Sequence, residues 1–413
     1  MTELEEKRER VILVAVSLND PDETERSLSE LKDLADTAGA FVAATVIQAR
    51  ESVHPGTYIG KGKIEEVKQM LCLYEADSII CDDELSPAQL GNLQEALGCK
   101  VCDRTLLILD IFAARAHTRE GKIQVELAQL RYRSSRLVGL RSSLSRLGGG
   151  IGSRGPGEKK LEMDRRVIGE RISVLKKELE EVKKHREVQR AGRLKNPVRT
   201  AAIVGYTNAG KSTLLNLLTG AAVDSQDALF VTLDPTTRAY PLPKGGEVLL
   251  TDTVGFIRKL PHHLIDAFRS TLEEAVYADM IIHVVDSSNP QMEEQMKIVY
   301  ETLDMLGVKD KPVLTLFNKI DKRTDTEPLL DERADRVMKV SAKTGEGFED
   351  FPDIINGLIY GGRLYIERVY PYDQGGKVAL IRNKGQLISE EYTAEGISVK
   401  AYIPLDIYGA VEA

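Results

Sequence analysis

Short apolar runs alternate with amphipathic stretches along the first hundred residues. Residues 10–16 (RVILVAV), 41–46 (FVAATV), 78–81 (SIIC) and 100–102 (KVC) have the length and β-branching of strands. Residues 22–38, 61–74 and the segment opening at Ser86-Pro87 have helical spacing, with Pro87 at a first helical position that tolerates it. This alternation predicts a parallel sheet with helices on both faces. Over 105–191 the period changes to that of two long helices. Ile123, Leu127, Leu130, Leu137, Leu140, Leu144 and Leu147 recur three, four or seven apart, and Leu161, Ile168, Ile172, Leu175, Leu179 and Val182 follow heptads. Between them, residues 148–157 read GGGIGSRGPG, which a helix is not expected to cross. The pattern predicts an antiparallel coiled-coil hairpin with a glycine tip, its second helix extending roughly 45–50 Å. Beyond Lys195-Asn196-Pro197, buried-strand runs at 201–204, 248–251, 312–317 and 338–340 predict a second α/β domain. The segments 363–369, 377–382 and 396–403 predict a small α+β or β-rich tail.

Composition narrows the class. At 413 residues, 42% hydrophobic and 29% charged, the chain is long enough for several cores and ordinary for a soluble protein. No apolar run reaches the roughly 18 residues of a membrane span, and the first ten residues are charged, so a cytoplasmic protein is expected. The net charge of −8 argues against uniform nucleic-acid binding, but residues 115–166 carry thirteen Lys/Arg against five Asp/Glu. A basic segment on an acidic chain suggests one localised surface for a polyanion. Arg146, Arg154, Lys159 and Lys160 surround the glycine tip and are the candidate RNA contacts. Cys99 and Cys102 form a C-x-x-C without a second pair or histidines at metal spacing, and read as a reduced structural pair. Residues 57–63 (TYIGKGK) form a basic turn too short for a phosphate loop: either a loop with a left-handed glycine or a ligand contact.

The chemistry centres on Gly205-Tyr206-Thr207-Asn208-Ala209-Gly210-Lys211-Ser212, G-x-x-x-x-G-K-S between a strand and a helix. Backbone N–H groups and a helix N-terminus there converge on phosphates. Lys211 would reach the β- and γ-phosphates, and Ser212 would ligate Mg²⁺. A strand ends at Asp252-Thr253-Val254-Gly255, where Asp252 can hold Mg²⁺ through a water and the Gly255 N–H can meet the γ-phosphate. Asn318-Lys319-Ile320-Asp321 follows another strand. The Asp321 carboxylate can accept from guanine N1–H and N2 together, which adenine cannot offer. The backbone of Ser341-Ala342-Lys343 can meet guanine O6. In this order behind a phosphate loop, the motifs specify GTP and GDP with Mg²⁺. A further hydroxyl must complete the Mg²⁺ shell; Thr232 in Phe230-Val231-Thr232-Leu233-Asp234 and the pair Thr236-Thr237 are candidates. Thr232 is favoured because F-x-T-L-x-P resembles the switch I of other translation-associated GTPases. Phe256 stands where many small GTPases carry a water-positioning glutamine, so slow intrinsic hydrolysis is expected. Lys211, Thr232 and Gly255 are the candidate catalytic residues. Arg238 and Arg258 could stabilise charge, and His262 and His263 could position water.

With these motifs in view the chain resembles the HflX family of translational GTPases. The resemblance is carried by TYIGKGK at 57–63, the glycine tip running into Glu158 and Leu161–Arg166, the phosphate loop, and F-x-T-L-x-P at 230–235. The family's usual G-E-T-Q-L-E reads Gly157-Glu158-Lys159-Lys160-Leu161-Glu162 here. It implies binding to the 50S subunit and 70S ribosome, with the hairpin tip reaching 23S rRNA toward the peptidyl transferase centre. It further implies ribosome splitting, rescue or recycling under stress, with turnover stimulated by the ribosome. The alternative reading is a GTP-regulated RNA-binding or remodelling factor in ribosome assembly. Neither DNA nor an integral membrane is an expected partner, and a monomer is expected. The expected organisation is an N-terminal parallel α/β domain (1–108), an antiparallel coiled-coil helical hairpin (109–195), a P-loop G domain (196–361) and a small C-terminal α+β domain (362–413).

Overall fold

The structure is a computed structural model. It describes residues 8–147, 156–193, 198–221, 229–242, 246–261, 264, 269–324, 327–361 and 363–412, with the side chains of 138–147, 156–161, 187–193 and 269–271 outside the description. The glycine run 148–155, including Arg154, therefore lies outside the described residues, as do the side chains of Arg146, Lys159 and Lys160 and both His262 and His263. By contact the chain divides into two units. The first comprises Met1–Lys183, Ala228–Phe230 and Arg258–Phe268; the second comprises Lys184–Asp227, Val231–Ile257 and Arg269–Ala413.

The first unit begins with β1 (Arg10–Ser17), α1 (Pro21–Thr37), β2 (Phe41–Ala49), α2 (Lys61–Leu73), β3 (Ser78–Cys81), α3 (Pro87–Leu97) and β4 (Lys100–Asp103). The strands form an all-parallel sheet in the order β2-β1-β3-β4. Local signals set the helix starts. The Asp20 carboxylate accepts from the Glu23 N–H, and Ser86 and Gln89 form a reciprocal capping box ahead of Pro87. The left-handed position in the TYIGKGK turn belongs to Tyr58 (φ 63°), not to a glycine; Gly60 is extended. Tyr58 is buried, its hydroxyl donating to Asp83 Oδ2 at 2.7 Å, so a structural anchor accounts for its unusual backbone. Cys102 is a free, buried thiol pushed up to about 11 by burial, which fits an inert structural cysteine.

The expected pair of long helices over 105–191 is three helices. α4 (Arg104–Arg115) is separate, started by the Asp103 carboxylate accepting from the Leu106 N–H, and it ends before α5 (Arg119–Leu147) and α6 (Pro156–Arg193). At 38 residues, α6 is about 57 Å long, longer than the heptad span alone suggested. Ile123 and Leu127 of α5 pack on Leu175 of α6, flanked by Leu130, Ile172 and Leu179, and Arg171 makes a bidentate bond to Glu126.

A buried charge cluster closes the sheet's C-terminal end. Arg104 donates to Asp82 Oδ1 at 2.9 Å, to Glu30 at 2.6 Å, to the Ser27 carbonyl and to the Arg258 carbonyl. Lys259 Nζ lies 2.6 Å from Asp82 Oδ2 and 2.7 Å from Asp83 Oδ1. Phe230 packs edge-on to Phe112, ring centroids 4.6 Å apart.

The second unit carries a six-stranded sheet, order β10-β9-β8-β5-β7-β6. Its strands are β5 (Arg199–Gly205), β6 (Thr236–Pro241), β7 (Glu247–Asp252), β8 (Met280–Asp286), β9 (Val313–Asn318) and β10 (Arg336–Lys339). All neighbours are parallel except β6 and β7. The helices are α7 (Lys211–Thr219), α8 (Arg269–Tyr277), α9 (Met292–Met305) and α10 (Phe351–Tyr360). The central strands are buried apolar runs, as parallel strands covered on both faces must be. The C-terminal tail is α+β. Strands β11 (Leu364–Tyr370), β12 (Gln386–Thr393) and β13 (Gly396–Ile403) form an antiparallel sheet, with β13 central, and α11 (Gly375–Lys384) and α12 (Leu405–Glu412) share a core with it. Among the described residues, no helix is long and apolar enough to cross a membrane.

Candidate nucleotide-binding site

Strand β5 runs into the loop 206–210 and the loop into α7, so the N–H groups of the first helical turn face the bend. Gly210 holds φ +97°, and a Cβ there would collide with the Asn318 side-chain amide. Asn318 explains that crowding. Its Nδ2 donates to the Ala209 carbonyl at 2.8 Å, and its Oδ1 accepts from the Ala342 N–H at 2.8 Å. One side chain thus ties the phosphate loop to the segment expected at the base.

Three oxygen-bearing side chains from three segments meet. Ser212 Oγ lies 2.9 Å from Thr232 Oγ1, and Asp252 Oδ2 accepts from Ser212 at 2.8 Å and from Thr232 at 3.0 Å. Asp252 Oδ1 is buried with no hydrogen-bond partner among the described residues. This set of hard oxygens, one left over, fits Mg²⁺. Thr237 instead pairs with Thr251 across the β6–β7 ladder, and Thr236 opens β6. Lys211 Nζ donates to the carbonyls of Tyr206 at 2.8 Å and Gly205 at 3.2 Å. Burial pushes its pKa down to about 8, with the Asp252 charge opposing; burial also pushes Asp252 up, with Lys211 the main opposing charge. Both shifts have one cause: two ionisable groups withdrawn from water, each the other's main opposing charge.

At the base end, Asp321 Oδ1 accepts from the Ser341 hydroxyl at 2.7 Å, leaving its carboxylate partly exposed and oriented. Lys319 is left-handed (φ 62°), and its Nζ pairs with Asp286 at 2.8 Å. Asp286 and Ser287, whose hydroxyl donates to the Asn318 carbonyl at 2.7 Å, are supporting residues that the motifs did not single out. Their signal was the polar Asp-Ser-Ser immediately after the apolar run 280–285. Ile320 and Ala342 contribute backbone, and Lys343 is exposed.

Other expected contacts also have structural work. The Phe230 ring is buried and packs on Phe112, which is where a large apolar ring gains most. Leu233 and Val254 are buried, and Thr253 donates to the Ile203 carbonyl. Val231 and Asp234 are half-buried beside Thr232. Arg238 donates to the adjacent Thr237 carbonyl, and Arg258 is buried in the first unit.

Comparison with known proteins decides the family. Residues 25–113 match the model for the GTP-binding GTPase N-terminal region, 115–193 its middle region, and 200–319 the 50S ribosome-binding GTPase model. The chain is 62% identical over 411 residues to GTPase HflX of Lacrimispora saccharolytica, covering all of this chain and 97% of that one. The chain belongs to the HflX GTPase family. GTPase HflX of Escherichia coli is 40% identical, with 97% of this chain and 94% of that one covered. A crystal structure of a GTP-binding protein from Sulfolobus solfataricus in complex with GDP is 28% identical over 85% of this chain and 99% of that chain, with a TM-score of 0.46. HflX membership carries GTP binding and hydrolysis with Mg²⁺, and association with the ribosome.

Proposed function

We propose that this HflX protein is a cytoplasmic, monomeric GTPase switch that engages the 50S subunit and splits, rescues or recycles stalled ribosomes under stress. The observation that carries the switch is the meeting of Ser212, Thr232 and Asp252. Thr232 stands on the segment before β6, Asp252 at the end of β7 and Ser212 on α7. A nucleotide with a terminal phosphate orders all three at once, and loss of that phosphate releases Thr232. Ser212 and Thr232 would hold Mg²⁺ directly, and Asp252 would hold it through a water. The ion supplies charge neutralisation along the phosphates. Lys211 binds the β- and γ-phosphates, the Gly255 N–H the γ-phosphate, and the N–H groups of 208–212 the rest. Asp321 accepts from guanine N1–H and N2, and the backbone of Ser341-Ala342-Lys343 meets O6.

For the ribosome, the support is the match of residues 200–319 to the 50S ribosome-binding GTPase model, together with the α5–α6 pair. That hairpin would carry the tip at 148–157, with Arg146, Arg154, Lys159 and Lys160, to 23S rRNA.

The test measures GTP hydrolysis alone, with 50S subunits and with 70S ribosomes, for the wild type and a variant lacking residues 148–157. Stimulation that vanishes with the tip supports the reading. Equal binding to naked ribosomal RNA and intact subunits, indifferent to nucleotide, would replace it with the RNA-remodelling reading.

A further inference from the structure

The glutamine that orients water in many GTPases is absent, and Phe256 in its place is fully buried. Phe256 is held by backbone. Its N–H donates to the Gly205 carbonyl at 3.1 Å, and its carbonyl accepts from the Thr207 N–H at 2.8 Å. A phenyl ring fixed in this way cannot supply the missing polar group. The same bonds, however, bring Thr207 of the phosphate loop against the segment that reads the γ-phosphate.

Thr207 is 6% exposed, and its Oγ1 has no hydrogen-bond partner among the described residues. Leaving a buried hydroxyl unsatisfied costs about 1–3 kcal/mol, so such a group calls for a partner. Its neighbours locate that partner. A Cβ built on Gly255 would lie 2.8 Å from Thr207 Cγ2, 2.9 Å from Thr207 Cα and 3.0 Å from Lys211 Nζ. The residue before Phe256 must therefore be glycine for Thr207 and Lys211 to meet there. Thr207, through its Cα and Cγ2, thus stands against Gly255 and beside Lys211 Nζ, the two residues read as attending the terminal phosphate, and its hydroxyl shares the Cβ that carries Cγ2. A phosphate oxygen bound beside these residues would give the hydroxyl the acceptor it lacks among the described residues.

We propose that Thr207 is a catalytic residue whose hydroxyl donates to a γ-phosphoryl oxygen and stabilises charge as the phosphoryl group transfers. It rests on the reading that GTP lies along residues 205–212. In the step, water oxygen forms the new bond to the γ-phosphorus while the bond to the β–γ bridging oxygen breaks. The electron pair leaves on the β-phosphate of GDP, and the water's proton passes to a phosphate oxygen. Thr207 exchanges no proton; its hydrogen bond strengthens as the transferring group reorganises.

The test uses Thr207→Val, close in shape but without the hydroxyl, and Thr207→Ser, which restores it. Binding of GDP, GTP and GDP–aluminium fluoride is measured by titration, and kcat and KM by phosphate release. The expected result for Thr207→Val is unchanged GDP affinity, kcat lowered roughly 10- to 100-fold, and loss of tight GDP–aluminium fluoride binding. Thr207→Ser should recover most of both. A Thr207→Val protein with wild-type kcat and analogue affinity overturns the proposal, because the hydroxyl is then only a buried cost. If Thr207→Val loses GDP as well, turnover per bound GTP in Thr207→Ser and Thr207→Ala decides: Ser above Ala supports the role, and equality overturns it. Failure of the wild type itself to bind GTP would instead remove the site reading on which the proposal stands.

Discussion

Asp252 Oδ2 accepts from Thr232 Oγ1 at 3.0 Å, joining the end of β7 to the segment before β6. The contact is direct, side chain to side chain, so Thr232 is within reach of a metal ion held near Asp252. Thr232→Ala removes one oxygen donor while leaving the phosphate loop whole. Titration should show GTP affinity in Mg²⁺ falling about tenfold, with GDP affinity nearly unchanged. Equal losses for both nucleotides would assign Thr232 a structural role.

Asp321 should fix base identity. Asp321→Asn replaces an acceptor with a group that also presents N–H donors to guanine's N1–H and N2. GTP affinity should fall about 10- to 100-fold, and xanthosine triphosphate, with a carbonyl at position 2, should bind better than GTP. Competition titrations with the two nucleotides check the inversion. Ser341→Ala, which frees the carboxylate from its hydroxyl donor, should produce a smaller loss of the same kind.

The second unit should weaken in acid through His283. This residue is buried on β8, its ring edge-on to Tyr300 at 5.0 Å, and Nδ1 is 3.9 Å from Asp331, too far for a hydrogen bond. Burial pushes its pKa below the ordinary value. The folded state thus binds its proton less readily than the unfolded chain. The stability it contributes is present above an unfolded pKa of about 6.5 and is lost as pH falls from there toward the folded value. Denaturant midpoints between pH 7.5 and pH 5 should show this slope, and His283→Phe should flatten it.

Arg104 should matter more to the first unit than Lys259. Removing the guanidinium leaves Asp82 buried with Lys259 and the Ser27 hydroxyl and takes from Glu30 its bond to Arg104. Arg104→Met should cost about 3–5 kcal/mol, and Lys259→Met less, because Arg104 still neutralises Asp82. Urea melts followed by a probe in residues 8–115 would order the two variants.

Much of this was legible in the sequence because it rests on local signals. The phosphate loop, Asp252, Asn318 and Asp321 sit at or just past strand ends, where apolar periodicity and motif spacing coincide, whereas Thr232, in the segment before β6, is legible only through the likeness of F-x-T-L-x-P to switch I. What escaped depended on pairs far apart in sequence. The charge on Lys259 gave no sign that it would meet Asp82, and Phe230 carried a motif while its ring filled a core beside Phe112. Heptads showed which helices pair, but not where α4 would separate from α5. The Thr207 hydroxyl was visible as a loop residue; that it lacks a partner is a property of three dimensions alone.

The first unit is discontinuous, and that governs the order in which it can be completed during synthesis. Asp82 precedes Lys259 by 177 residues. At about 5–20 residues per second, the acidic pair waits roughly 10–35 s for its lysine, while the phosphate loop emerges in between. A nascent chain stopped after residue 183 has the whole parallel sheet but neither 228–230 nor 258–268. Such a fragment should be more open to protease at Asp82 and Asp83 than the finished chain. Maturation of the N-terminal sheet is thereby made contingent on translation continuing through the nucleotide-binding sequence.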